Sequence, residues 1–157
     1  MNRKARSPKH GRPAMSPLLR ALTYSQAALE PVVEGMLLQS YTALDAFHRG
    51  HGSRDLFSTL GRAFLIAEEL ARLGHEPEAL GLIESAHAAL MRVNAEEQSD
   101  SRWRLNEANY SPLADALAVF DTQLNAASLI DIAKAEARML EGLLRSERNI
   151  RNVAELV

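Results

Sequence analysis

Residues 53–93 read SRDLFSTLGRAFLIAEELARLGHEPEALGLIESAHAALMRV, and this stretch decides the fold. In its first half Leu56, Phe57, Leu60, Ala63, Phe64, Ala67, Leu70 and Ala71 recur at steps of three and four residues, the spacing that gathers side chains on one face of an α-helix. Ser53 is placed to cap that helix, and Gly74 can take the left-handed conformation that ends one. Pro77 suits the first turn of a second helix, where a missing N–H costs nothing, and Ala79, Leu80, Ile83, Ala86, Leu90 and Val93 give it an apolar stripe. Two stripes joined by a short turn predict an antiparallel helical hairpin, over about 54–73 and 77–95, at the centre of an all-α bundle of five to six helices.

Working outward, Ser16-Pro17-Leu18 and Ser111-Pro112-Leu113 both have the form of a cap followed by a first-turn proline, so each predicts a helix start. The first helix is expected over 17–28. It should break at Pro31, because a proline ring clashes with the carbonyl four residues earlier. The next is expected over 31–47, burying Val33, Met36, Leu37, Leu44 and Phe47 before Gly50 and Gly52 stop it. Beyond Asn94 the segment AEEQSDSRWRLNEANY is polar and aperiodic, which predicts a long connection. From Pro112 a helix is expected to end near Ala126. Ser128 with Asp131 then resembles the cap of a last helix, for which Leu129, Ile132, Ala133, Ala137, Leu140 and Leu144 are expected to form the buried stripe.

Composition agrees with a helical reading. Aromatic residues make up only 5% of the 157, and no strand-like alternation with hairpin turn pairs occurs. One domain is expected over 16–147, preceded by a basic arm over 1–15 and followed by a tail over 148–157. The chain has no cysteine, hence no disulfide or thiolate metal site, and no apolar run fits a bilayer or a signal peptide; a cytoplasmic location with no membrane contact is the expectation.

Charge divides the chain. Residues 1–29 hold Arg3, Lys4, Arg6, Lys9, Arg12 and Arg20 and no acid, a charge of +6, while the remainder carries −8. The arm either follows nucleic-acid phosphates, where counterion release rewards each cation, or serves as a solubilising tail or a strap on the acidic body. Lys134, Arg138, Arg145 and Arg148 share a face of the last helix and either extend that phosphate-binding surface or answer the helix dipole. Trp103, between Arg102 and Arg104, is either an interface anchor or a lid folded onto the core. Leu65 and Ile66 fall outside the main apolar arc of their helix and are expected to be an exposed protein interface.

The histidines do not make a site. His48 and His51 have Gly50 between them and no third histidine at ligand spacing; His48 is expected beside Tyr41 and His51 in solvent. His87 lies on an apolar arc, where a hydrogen-bonded core histidine is the expectation. No phosphate loop, dinucleotide fingerprint, zinc-helix motif or nucleophile elbow is present, so neither an enzyme nor a cofactor is expected.

The segment GRAFLIAEELARLGHEPEALGLIESA, residues 61–86, is similar to one helix pair of a tetratricopeptide repeat, occurring once. More broadly, the basic arm, YTALDAFHRGHGSRDLFSTLGRAFLIAEEL, WRLN and LADALAVFDTQLNAA resemble a loose group of short helical proteins carried by proteobacterial phages and plasmids and often labelled Fis-like regulators. The resemblance implies a regulator. The candidate helix-turn-helix over 117–139 departs from a Fis-type reader, lacking a glycine in its turn and mixing Lys134 and Arg138 with Asp131, Glu136 and Glu141, which repel phosphate. Two functions are therefore expected to compete: a protein-binding regulator or inhibitor, with self-association into a dimer as one form of that binding, and a nucleic-acid-binding regulator.

Overall fold

The computed structural model describes residues 17–100 and 102–154. They form five α-helices with no strand among them: α1 (Pro17–His48), α2 (Arg54–Arg72), α3 (Leu80–Asp100), α4 (Glu107–Ala126) and α5 (Leu129–Ala154), with a 3-10 turn at Pro77–Ala79 leading into α3. The all-α expectation holds. The arm over 1–15, and with it Arg3, Lys4, Arg6, Lys9 and Arg12, lies outside the described residues.

α2 is the hub, packing against each of the other four helices. Its ends are built by the residues the sequence offers. The Ser53 hydroxyl accepts from the Leu56 N–H at 3.3 Å. At the other end Gly74 takes φ +101°, and the N–H groups of Gly74 and His75 reach back to the carbonyls of Ala71 and Leu70, both at 3.0 Å. The core sits around α2, with Phe47, Phe64, Phe120, Leu60, Leu70, Ile83, Leu113 and Leu117 fully buried. Each such side chain contributes about 1.5–3 kcal/mol through the apolar surface it removes from water.

Two prolines that were expected to punctuate the chain lie inside helices. α1 runs through Pro31 without a break, so one helix stands where two were expected. Pro31 forfeits the bond to the Ala27 carbonyl, but Ala27 and Pro31 are both exposed, and water can satisfy the orphaned oxygen. α4 starts five residues before Pro112, because the Asn106 side chain caps it by accepting from the Asn109 N–H at 2.9 Å. α3 meanwhile continues to Asp100, so the long connection expected after Asn94 contracts to the few residues between Asp100 and Glu107. α5 continues through Ala154, into the stretch expected to be tail.

Candidate functional site

α5 begins where the sequence placed its cap. The Ser128 hydroxyl accepts from the Asp131 N–H at 3.1 Å, and Nε2 of His75, in the turn after α2, lies 3.1 Å from the Asp131 carboxylate. Seven residues further on, Arg138 comes within 4.0 Å of Glu69. Ascending α5 thus meets descending α2, and the two helices run antiparallel. The hydrogen bond from His75 first, with Ser128 and Lys134 assisting against the opposing effect of partial burial, holds the Asp131 carboxyl below its ordinary range.

Of the stripe that spacing suggested for α5, the face turned toward α2 fully buries only Ile132. Ile132, Ala135 and Met139 are buried, whereas Ala133, Ala137, Leu140 and Leu144, all expected in the core, are exposed. With Ile130 they form a second apolar stripe. Ile130 is 64% exposed, Leu140 46% and Leu144 52%. At 100° per residue the five positions fall within about 80° of arc, opposite the buried three. Every described side chain from Leu140 to Arg148 is exposed, Leu143 included, so the helix outruns the body that supports its inner face.

The basic strip occupies one border of that stripe. Lys134, Arg138, Arg145 and Arg148 are all exposed, yet Lys134 lies 4.0 Å from Asp131, Arg138 4.0 Å from Glu69 and Arg145 3.5 Å from Glu141. Such neighbours lower the local positive potential that a phosphate would meet.

On α2 the expected interface is largely internal. Ile66 is 5% exposed and belongs to the core, and Leu65 is half-buried and packs against it. The physical reason is the hub position of α2: a helix touched by four others buries a wide arc, so a residue outside the main stripe still meets a neighbour. Trp103 likewise turns inward. Its ring lies 5.2 Å from that of Phe57 and 6.2 Å, edge-on, from that of Phe47, closing the core above the α1–α2 turn, while Arg102 and Arg104 are exposed. Of the two readings of Trp103, the packing matches the lid. Gly52 makes the closure possible, since a Cβ there would stand 2.6 Å from the Phe47 ring and 2.8 Å from the Trp103 Cβ.

His51 is exposed, as expected, while His48 and His87 depart from expectation. His48 packs at a tilt of 44° against Tyr110, centroids 4.7 Å apart, and not against Tyr41, whose hydroxyl donates to Asp121 at 3.3 Å; partial burial and then Asp121 push the Tyr41 phenol up. His87 is half-buried against the edge of Phe64. Its Nε2 makes no hydrogen bond; a carboxylate oxygen of Glu68 stands 3.5 Å away, at the limit of hydrogen-bond reach.

Buried polar residues outside the expected apolar stripes fasten the helices together. Gln123 is fully buried and donates through Nε2 to the carbonyls of Ala67 and His75, both at 3.0 Å, tying α4 to the end of α2. Asn109 accepts from Nε of Arg92 at 2.8 Å, tying α4 to α3. The available signal was position: Gln123 follows Leu113, Ala116, Leu117 and Phe120 at helical spacing, and a polar residue on such a stripe must find partners.

Open recesses among the described residues include two of moderate size. One of about 150 Å³ is lined by Met36, Ser40, Thr59, Arg62, Ile66 and Glu136 among others. Its hydroxyls are engaged within their own helices, Ser40 donating to the Met36 carbonyl and Thr59 to that of Asp55. The other, about 360 Å³, lies between α1 and α4 beside Leu29, Glu30, Val33, Glu34 and Leu124. No helix among the described residues is long and apolar enough to cross a membrane. Compared with protein-family models, with curated proteins and with solved structures, the chain matches none.

Proposed function

We propose that this chain is a non-catalytic helical binding protein that acts by protein–protein contact, with the outer stripe of α5 as its working surface. One observation carries the reading: Ile130, Ala133, Ala137, Leu140 and Leu144 form an apolar stripe on the solvent side of a helix whose opposite side already supplies the core. A helix needs one apolar face to fold onto its body, and a second, exposed one has the composition of a recognition surface. The regulator or inhibitor role implied by the resemblance to phage and plasmid proteins is compatible with such a surface and would place the protein in the cytoplasm.

A second reading is nucleic-acid binding through Arg3, Lys4, Arg6, Lys9 and Arg12 with the α5 strip, and the +6 charge of residues 1–29 favours it. The acids beside Lys134, Arg138 and Arg145 count against the strip's share in it. Affinity capture from a nuclease-treated extract at physiological salt separates the two. The first reading expects a captured protein that is lost on Leu144→Glu. Recovery of nucleic acid from an untreated extract, released by moderate salt and indifferent to Leu144→Glu, is the contrary result.

A further inference from the structure

The outer stripe of α5 carries information about its partner, and we infer that the partner is a second copy of this chain, bound with its α5 antiparallel to the first. The inference rests on the reading of α5 as a protein-binding surface and specifies what binds there. Ile130, Ala133, Ala137, Leu140 and Leu144 follow one another at steps of three, four, three and four, the repeat with which one helix keeps a seam toward another. The stripe is alanine in its middle and leucine toward its end. If two copies pair in parallel, alanine faces alanine and leaves gaps, leucine crowds leucine, and Glu136 of one copy meets Glu141 of the other.

Antiparallel pairing removes each of these faults. With Ala137 opposite Leu140 of the second copy, Ala133 falls opposite Leu144, and by the two-fold symmetry both contacts occur twice, small against large. The same register brings Lys134 beside Glu141 of the second copy, and Glu141 beside its Lys134. Both residues are exposed, and both stand on the same border of the stripe. In the single chain each has only a distant or local partner: Lys134 has Asp131 at 4.0 Å, and Glu141 has Arg145, one turn on, at 3.5 Å. The surface is therefore self-complementary in shape and in charge. In this register Ile130 falls opposite Glu147 of the second copy, so the apolar pairing runs from Ala133 to Leu144, about 17 Å, a small interface, and the dimer is concentration-dependent.

Light scattering and sedimentation of the purified full chain at about 100 µM, above the micromolar dissociation constants expected of small interfaces, test this directly. The expected mass is twice 17.3 kDa, falling toward 17.3 kDa on dilution, and Leu140→Glu gives 17.3 kDa throughout with helical content unchanged. Lys134→Glu and Glu141→Lys each raise the dissociation constant about tenfold, since either change turns two attractions into two repulsions, and the double exchange restores wild-type affinity. A monomer at the highest concentration overturns the inference, as does a dimer indifferent to Leu140→Glu or a double exchange no better than the single ones. A monomer that still captures a different protein through Leu144 overturns self-association alone and leaves the binding-protein reading standing.

Discussion

α2 and α5 are both amphipathic, both apolar over more than one stripe, and they lie against each other; they differ in what surrounds them. α2 is enclosed by four helices, so Phe64, Leu70 and even Ile66, outside its main stripe, are buried. α5 packs chiefly on α2, so one apolar stripe is buried and an equivalent one is left in solvent. The lesson is that the number of neighbours a helix has, and not the number of its apolar residues, decides whether a stripe is core or surface.

Matched substitutions on the two helices are expected to have very different effects. Ile66→Glu places a carboxylate in the core and is expected to cost several kcal/mol, enough to abolish folding, as read by circular dichroism. Ile130→Glu is expected to leave monomer stability within about 0.5 kcal/mol. Equal effects would contradict the assignment of the two stripes.

Gly52→Ala probes the packing at the start of α2. A methyl group at 2.6 Å from the Phe47 ring forces Phe47 and Trp103 apart, at a cost of about 1–3 kcal/mol. Because Trp103 is the sole tryptophan, its emission is expected to shift red in the folded variant. At the far end of α2, Gln123→Leu removes the donor shared by the Ala67 and His75 carbonyls and is expected to cost about 1–2 kcal/mol in urea melts, partly offset because Oε1 has no partner to lose.

The smallest effect concerns the joint between the two helices. The Asp131 carboxyl is held below its unfolded value, so as pH falls the unfolded chain takes up the proton first. The stabilising contribution of Asp131 is present above about pH 4 and is lost as the pH drops through its lower folded value. Urea midpoints measured down through that range are expected to fall further for the wild type than for Asp131→Asn; parallel profiles would show that the joint contributes nothing.

Much of the fold was legible in the sequence because it depends on local chemistry. Ser53, Gly74 and Ser128 fix helix ends through their own side chains or backbone freedom, and the stripes of α2 and α3 meet neighbours on the expected sides. The helix break expected at Pro31 and the helix start expected at Pro112 are both wrong, because a proline removes one bond and an exposed carbonyl can take water instead. The face of α5 was not legible. Ile132, Ala135 and Met139 are spaced as well for burial as Ala133, Ala137, Leu140 and Leu144, and only the position of α2 distinguishes them. The same omission placed the interface at Leu65 and Ile66, since a residue's place outside a stripe says nothing about a fifth helix packed over it. Lys134, Arg138, Arg145 and Arg148 are all at the surface; the acids beside Lys134 and Arg145, Asp131 and Glu141, stand at helical spacing on α5 itself and are legible in the sequence, whereas Glu69 beside Arg138 belongs to α2 and is not.

Leucine methyl resonances followed through a dilution series of the intact protein distinguish an internal α2 from an outwardly adhesive α5. Signals from Leu140 and Leu144 are expected to move with concentration while those of Leu60 and Leu70 stay fixed. Fixed signals from Leu140 and Leu144 across the series, or movement of the Leu60 and Leu70 signals instead, would contradict that division.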